Sequence, residues 1–192
     1  MKTTINLYLA KAIAAYPYEL QKAVEALNYA LSYEPENVKA LCLMAKVYSE
    51  QFSDPNTAKT YFEAAIAANL DFAEIYPDYI NMLLRNDDFE AAQKVIDFAK
   101  NVKGADRAGI QLLQGQLFEM VLEFEKAEEA YKEALMLGMN EGFIEYVERE
   151  LSRATKKRER RNNRQKNSSE TASKLEEETK KGWFANRLNN FL

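Results

Sequence analysis

Residues 115–134 read GQLFEMVLEFEKAEEAYKEA. Within them Ala127, Tyr131 and Ala134 make a small–large–small series at i, i+4 and i+7, which is one stripe of a helix. The alanines let a neighbouring helix come close, and the large side chain fills the space between them. The same series recurs as Ala92, Ile96 and Ala99, as Ala58, Phe62 and Ala65, and as Ala23, Leu27 and Ala30. Successive first members lie 35, 34 and 35 residues apart. Four series in phase are a structural period, not a coincidence of composition.

Upstream of each series a second helical segment is expected, over residues 3–15, 37–51, 72–86 and 106–121. Short polar or proline-containing breaks follow: Tyr16-Pro17, Ser53-Asp54-Pro55, Asn86-Asp87-Asp88 and a weaker one near Glu123. Pro35 closes the first pair, and Gly104 and Gly138 help to close the third and fourth. The unit is helix, turn, helix about every 34 residues. One such hairpin cannot bury its apolar face alone, so neighbours are expected to stack into a solenoid.

The pattern resembles the tetratricopeptide repeat, with its glycine and aromatic in the first helix and its Ala-x-x-x-aromatic and further alanine in the second. Gly115, Phe118, Ala127, Tyr131 and Ala134 match it most fully. The family's early tryptophan is missing throughout, and Lys11, Ala45 and Ile80 stand where the first three repeats would have glycine. The expected fold is therefore all-α: a solenoid of four repeats over residues 3–139, followed by a capping helix over 140–160. The cap would use Phe143, Ile144, Val147 and Leu151 to cover the last hairpin, with Glu145, Glu148, Arg149 and Glu150 facing water.

Composition changes after Arg153. Residues 1–148 carry a net charge of −11, residues 149–166 a net +7, and residues 167–192 are neutral. The basic arm, with Lys156, Lys157, Arg158, Arg160 and Arg161, reads as a nucleic-acid contact or as a solvated helix end running into a tether. It holds no aromatic residue on which a base would stack. Residues 161–181 read as a charged flexible linker in a largely disordered tail. Residues 182–192 end the chain on a short apolar motif with Trp183, Phe184, Leu188, Phe191 and Leu192, the first of these the only tryptophan. A motif of this spacing suits docking in a partner's groove or the chain's own. It also suits a weak membrane-surface contact beside Lys180, Lys181 and Arg187, or a terminal helix packed back on the solenoid.

The 192 residues include no histidine and a single cysteine. Catalytic pairs that need imidazole, histidine zinc sites and CxxC centres are thereby excluded. No phosphate-cradling glycine motif occurs, and no run of 18 apolar residues spans a membrane. Residues 1–15 read as an amphipathic helix, not an export signal, because Asn6 and Lys11 interrupt the apolar stretch. A reducing, cytoplasmic setting, no cofactor, no metal and no catalytic activity are the expectations.

The resemblance implies that the first helices line a concave, peptide-binding face. Carried over by position, that face is Tyr8 and Ala12, then Cys42, Lys46 and Ser49, then Asp78, Asn81 and Arg85, then Leu112, Gln116 and Glu119, with Lys39 and Glu74 at its edge. The carboxylate-clamp pattern of chaperone-binding members is not in register here. The function so implied is a protein–protein interaction adaptor or scaffold, gripping a peptide in the groove and making a second contact through the tail. The alternatives are a nucleic-acid-associated accessory factor using residues 149–166, or a self-associating repeat protein.

Overall fold

The computed structural model describes the backbone of residues 6–189 and the side chains of residues 6–168. Among the described residues the regular structure is helical: α1 (Leu7–Ala15), α2 (Leu20–Tyr33), α3 (Val38–Glu50), α4 (Pro55–Ala68), α5 (Ile75–Arg85), α6 (Phe89–Ala99), α7 (Arg107–Met120), α8 (Phe124–Leu137) and α9 (Glu141–Asn189). The first eight form four hairpins, α1–α2 to α7–α8, and α9 packs on α8. First helices also touch from one hairpin to the next, α1 on α3, α3 on α5 and α5 on α7. Second helices do not meet their counterparts to that extent, so the stack curves toward its first helices.

Asparagine and aspartate start most of these helices, because their side-chain oxygens take the orphan N–H groups of a first turn. Asn6 accepts from Tyr8 and Leu9, Asn37 from Ala40, Asp88 from Ala91 and Asp106 from Gly109. Asp54 accepts from the Thr57 amide at 3.0 Å and from its hydroxyl at 2.6 Å, while Pro55 occupies the first helical turn, where no N–H is needed. The turns inside the last three hairpins share one device. Ser53, Asp87 and Leu122 adopt left-handed backbone, with φ of 53°, 57° and 64°. They are spaced 34 and 35 residues apart, the repeat length itself. After each, the chain folds back so that the next amide reaches a carbonyl of the preceding helix: Asp54 to Tyr48 at 2.9 Å, Asp88 to Leu83 at 3.0 Å and Glu123 to Phe118 at 2.8 Å. The first hairpin turns differently, through a cis Tyr16–Pro17 bond.

All twelve residues of the four alanine–large–alanine series are at most 1% exposed. They form the seam along which each second helix meets its neighbours. At the far end the seam is covered by α9, whose Phe143, Val147, Leu151 and Ala154 pack against Ala127, Tyr131 and Ala134.

One boundary differs from the sequence expectation. A capping helix that stops at residue 160 and gives way to a linker is not what forms: α9 continues without a break to Asn189. Between Phe143 and Lys181 there is neither glycine nor proline, and the segment is rich in Lys, Arg and Glu, which favour helix. Polarity sets the composition apart without supplying anything to end the helix. The side chains of Trp183, Phe184 and Leu188 lie outside the described residues, as do Phe191 and Leu192 entirely.

Candidate peptide groove

Helical spacing brings Lys46 and Ser49 of α3, Asp78, Asn81 and Arg85 of α5, and Gln116 and Glu119 of α7 onto the inner side of the curve. Lys46, Ser49, Asp78, Asn81 and Arg85 line a cavity of about 200 Å³ together with Glu50 and Phe62. Asn81 and Arg85 also line a second cavity of about 360 Å³, with Gln116, Glu119, Met120 and Tyr146. The two share a wall, so α3, α5, α7 and the start of α9 frame one trough.

The charges in this trough are mostly spoken for. Lys46 Nζ lies 3.2 Å from Asp78 Oδ2. The Tyr16 hydroxyl donates to Glu50, and burial first, then this carboxylate, pushes the phenol up to about 12. Asn81 donates to the Pro77 carbonyl at 2.8 Å. Arg85 is the exception. Its Nη2 donates to Ser49 Oγ at 3.2 Å, and no carboxylate pairs with it among the described residues.

At the α9 end lies a compact ionic cluster. Glu119 is 5% exposed and receives Arg153, Lys157 Nζ at 2.8 Å and the Tyr131 hydroxyl at 2.9 Å. Arg153 also bonds Glu150, its Nη2 lying 2.6 Å from Oε2. Burial pushes the Glu119 carboxyl up, but the hydrogen bonds from Arg153, Lys157 and Tyr131 outweigh it and hold the group at about 2. The same surroundings push Tyr131 upward, burial first and Glu119 next.

The other groove candidates sit elsewhere. Ala12 is fully buried and offers no surface to a ligand. Tyr8 turns toward α2 and stacks on Tyr29 and Tyr33, with ring centroids 5.2 and 5.6 Å apart. Cys42 is half-buried against the core; burial first, then Asp78 and Glu74, pushes its thiol up to about 12. Leu112 packs beside Ala127 and Tyr131. Glu119, placed by position on the groove, is a buried anchor for α9 rather than an open carboxylate.

The basic arm is divided. Lys157 pairs with Glu119, and Arg161 Nη1 donates to the Leu122 carbonyl at 2.6 Å and lies over the Phe124 ring. Arg158 Nε sits 2.9 Å from Glu128 Oε1 as an ion pair, though their geometry does not align for a hydrogen bond. Lys156 and Arg160 face water. Glu128 is buried and serves this contact. Met120, Tyr146 and Arg153 line the trough without having been singled out. Glu150, Arg153 and Lys157 recur at i, i+3 and i+7, and that spacing was the available signal for a charged face turned inward.

Among the described residues no group of His, Cys, Asp and Glu is placed to hold a metal ion, and no helix is long and apolar enough to cross a membrane. No family model matches the chain, and neither does any curated protein. Solved structures do. Pseudomonas aeruginosa PilF is similar at 20% identity and a TM-score of 0.70, over 80% of this chain and 69% of that one. The Thermus thermophilus protein TTC0263, a thermophilic TPR protein, is similar at 19% identity and a TM-score of 0.60, over 77% and 79% of the two chains. MamA from Desulfovibrio magneticus RS-1 is similar at 18% identity and a TM-score of 0.61, over 80% and 90%. The chain has the tetratricopeptide-repeat fold: four helical hairpins and a terminal helix that covers the last of them.

Proposed function

We propose that this chain is a non-catalytic protein–protein interaction adaptor whose trough between α3, α5 and α7 holds an extended peptide. The observation that carries this reading is the position of Arg85. It stands where the two cavities join, exposed and without a carboxylate partner among the described residues. Met120 offers apolar surface beside it, and Asn81 and Gln116 offer amide groups. An acidic side chain set on Arg85, with an apolar residue toward Met120, fits that arrangement. A charge-assisted hydrogen bond of this kind contributes roughly 1.5–3 kcal/mol. The cations that favour nucleic acid are fewer than the sequence suggests, since Lys157, Arg158 and Arg161 are engaged by the solenoid itself. A cytoplasmic setting and a second contact through residues 182–192 belong to the same reading.

The test is selection of peptides from a displayed random library on the whole chain, followed by anisotropy titration of the winners. Selected peptides should carry an acidic residue, and Arg85→Glu should weaken them by about tenfold or more, or 1.4 kcal/mol. Winners that lack acidic residues, or that bind the variant equally well, would remove Arg85 from the site.

A further inference from the structure

The two ends of the solenoid are finished differently. At the α8 end, α9 lays Phe143, Val147, Leu151 and Ala154 over the last hairpin. At the other end the outer side of the first hairpin holds an open cleft of about 440 Å³. Its lining residues come from α1, α2 and the turn between them, with none from α3. Ala14, Ala15 and Ala26 line it with the stacked Tyr8 and Tyr29, and the charged Lys11, Glu19, Lys22 and Glu25 complete the lining. A seam of alanines between two helices, with bulky side chains beside it, accepts a third helix that brings large apolar residues.

The length of α9 points to the occupant. An unbroken helix of 49 residues is about 73 Å long at 1.5 Å per residue. Arg161 bonds the Leu122 carbonyl. Trp183 follows it by 22 residues, or about 33 Å of helix. The backbone of residues 182–189, where the apolar segment begins, is thus carried along α9 past Arg161, while the open cleft lies at the α1 end of the same chain. We infer that the cleft between α1 and α2 receives the C-terminal apolar segment of a second copy of this chain. The contact is head-to-tail, so each copy has one donor and one acceptor and assembly proceeds to rings or open strings. This inference rests on the docking character of residues 182–192 and is independent of what the peptide trough binds.

The experiment is sedimentation velocity on the full chain across a concentration series, with Trp183 emission read on the same samples. Two variants block one half of the contact each: Ala14→Arg in the exposed cleft and Leu188→Asp in the tail, both checked for helicity by circular dichroism. The wild type is expected to gain mass with concentration while its tryptophan emission moves to the blue. Each variant alone should stay monomeric. Mixed in equal amounts they should form dimers and nothing larger, because one intact cleft meets one intact tail. Arg85→Glu should assemble like the wild type, which separates this contact from the peptide trough. A wild type of constant mass, blue emission at every dilution, variants that assemble normally, or variants that fail to complement each other would overturn the proposal.

Discussion

Glu119 on α7 and Arg153 on α9 form a two-pronged ion pair, with Nε on Oε1 at 2.9 Å and Nη2 on Oε2 at 2.8 Å. Lys157 and the Tyr131 hydroxyl complete the shell of the same carboxylate. One buried acid therefore ties the last hairpin to the helix that covers it.

That acid makes the cap sensitive to low pH. Its folded value is depressed from 4.5 to about 2, so its stabilisation is fully present above 4.5 and is lost as pH falls from there through 2. The depression corresponds to roughly 3 kcal/mol. Glu119→Gln should cost about that much at neutral pH and should flatten the loss of stability between pH 4.5 and 2. Thermal melts of both proteins across that range check it; equal slopes would show that Glu119 does not set the acid response.

A tighter constraint lies one turn earlier on α7. Gly115 faces the Tyr131 ring so closely that an added Cβ would collide with it. Gly115→Ala should destabilise the chain by about 1–3 kcal/mol from overpacking, despite alanine's better helix propensity. Denaturant unfolding reads the difference, and a neutral or stabilising outcome would show that the α7–α8 joint relaxes.

These two sites mark what was legible in the sequence and what was not. The four alanine series announced the seam because small and large residues must alternate wherever helices meet at fixed spacing. Gly115 belonged to that pattern. Glu119 did not, because a carboxylate on a helix has the same one-letter appearance whether it faces water or accepts two cations and a phenol. The same ambiguity hid Glu128. The left-handed positions Ser53, Asp87 and Leu122 were in phase with the repeat but share no residue type, so backbone geometry alone reveals them. Of the groove residues that the resemblance implied, Lys46, Ser49, Asp78, Asn81, Arg85 and Gln116 line the trough. The carry-over does not describe the first helix, where Ala12 faces the core and Tyr8 joins an aromatic stack.

Leu122 holds φ at 64°, a conformation that costs a non-glycine residue roughly 1–2 kcal/mol. Its side chain is largely exposed, so little packing is lost by replacing it. Leu122→Asn should stabilise the chain by about 0.5–1 kcal/mol, since asparagine tolerates this backbone. Leu122→Val should do the reverse, and melting temperatures of the pair decide the sign.

Cys42 should be a sluggish thiol. Burial first, then Asp78 and Glu74, pushes it up to about 12, so almost no thiolate exists at neutral pH. Alkylation by iodoacetamide is expected to be slow in the folded chain and ordinary in denaturant. Fast modification of the folded protein would mean that Cys42 opens to the groove.

A peptide held in the trough around Arg85 would perturb the residues that line it. The direct measurement is amide chemical-shift mapping on the isotope-labelled full chain, titrated with a library-selected peptide. Saturating shifts should concentrate on Lys46, Ser49, Asn81, Arg85 and Gln116, leaving α2 and α4 quiet. Shifts centred on the α1–α2 cleft, on the outer faces of the second helices or on the exposed side of α9 would contradict it.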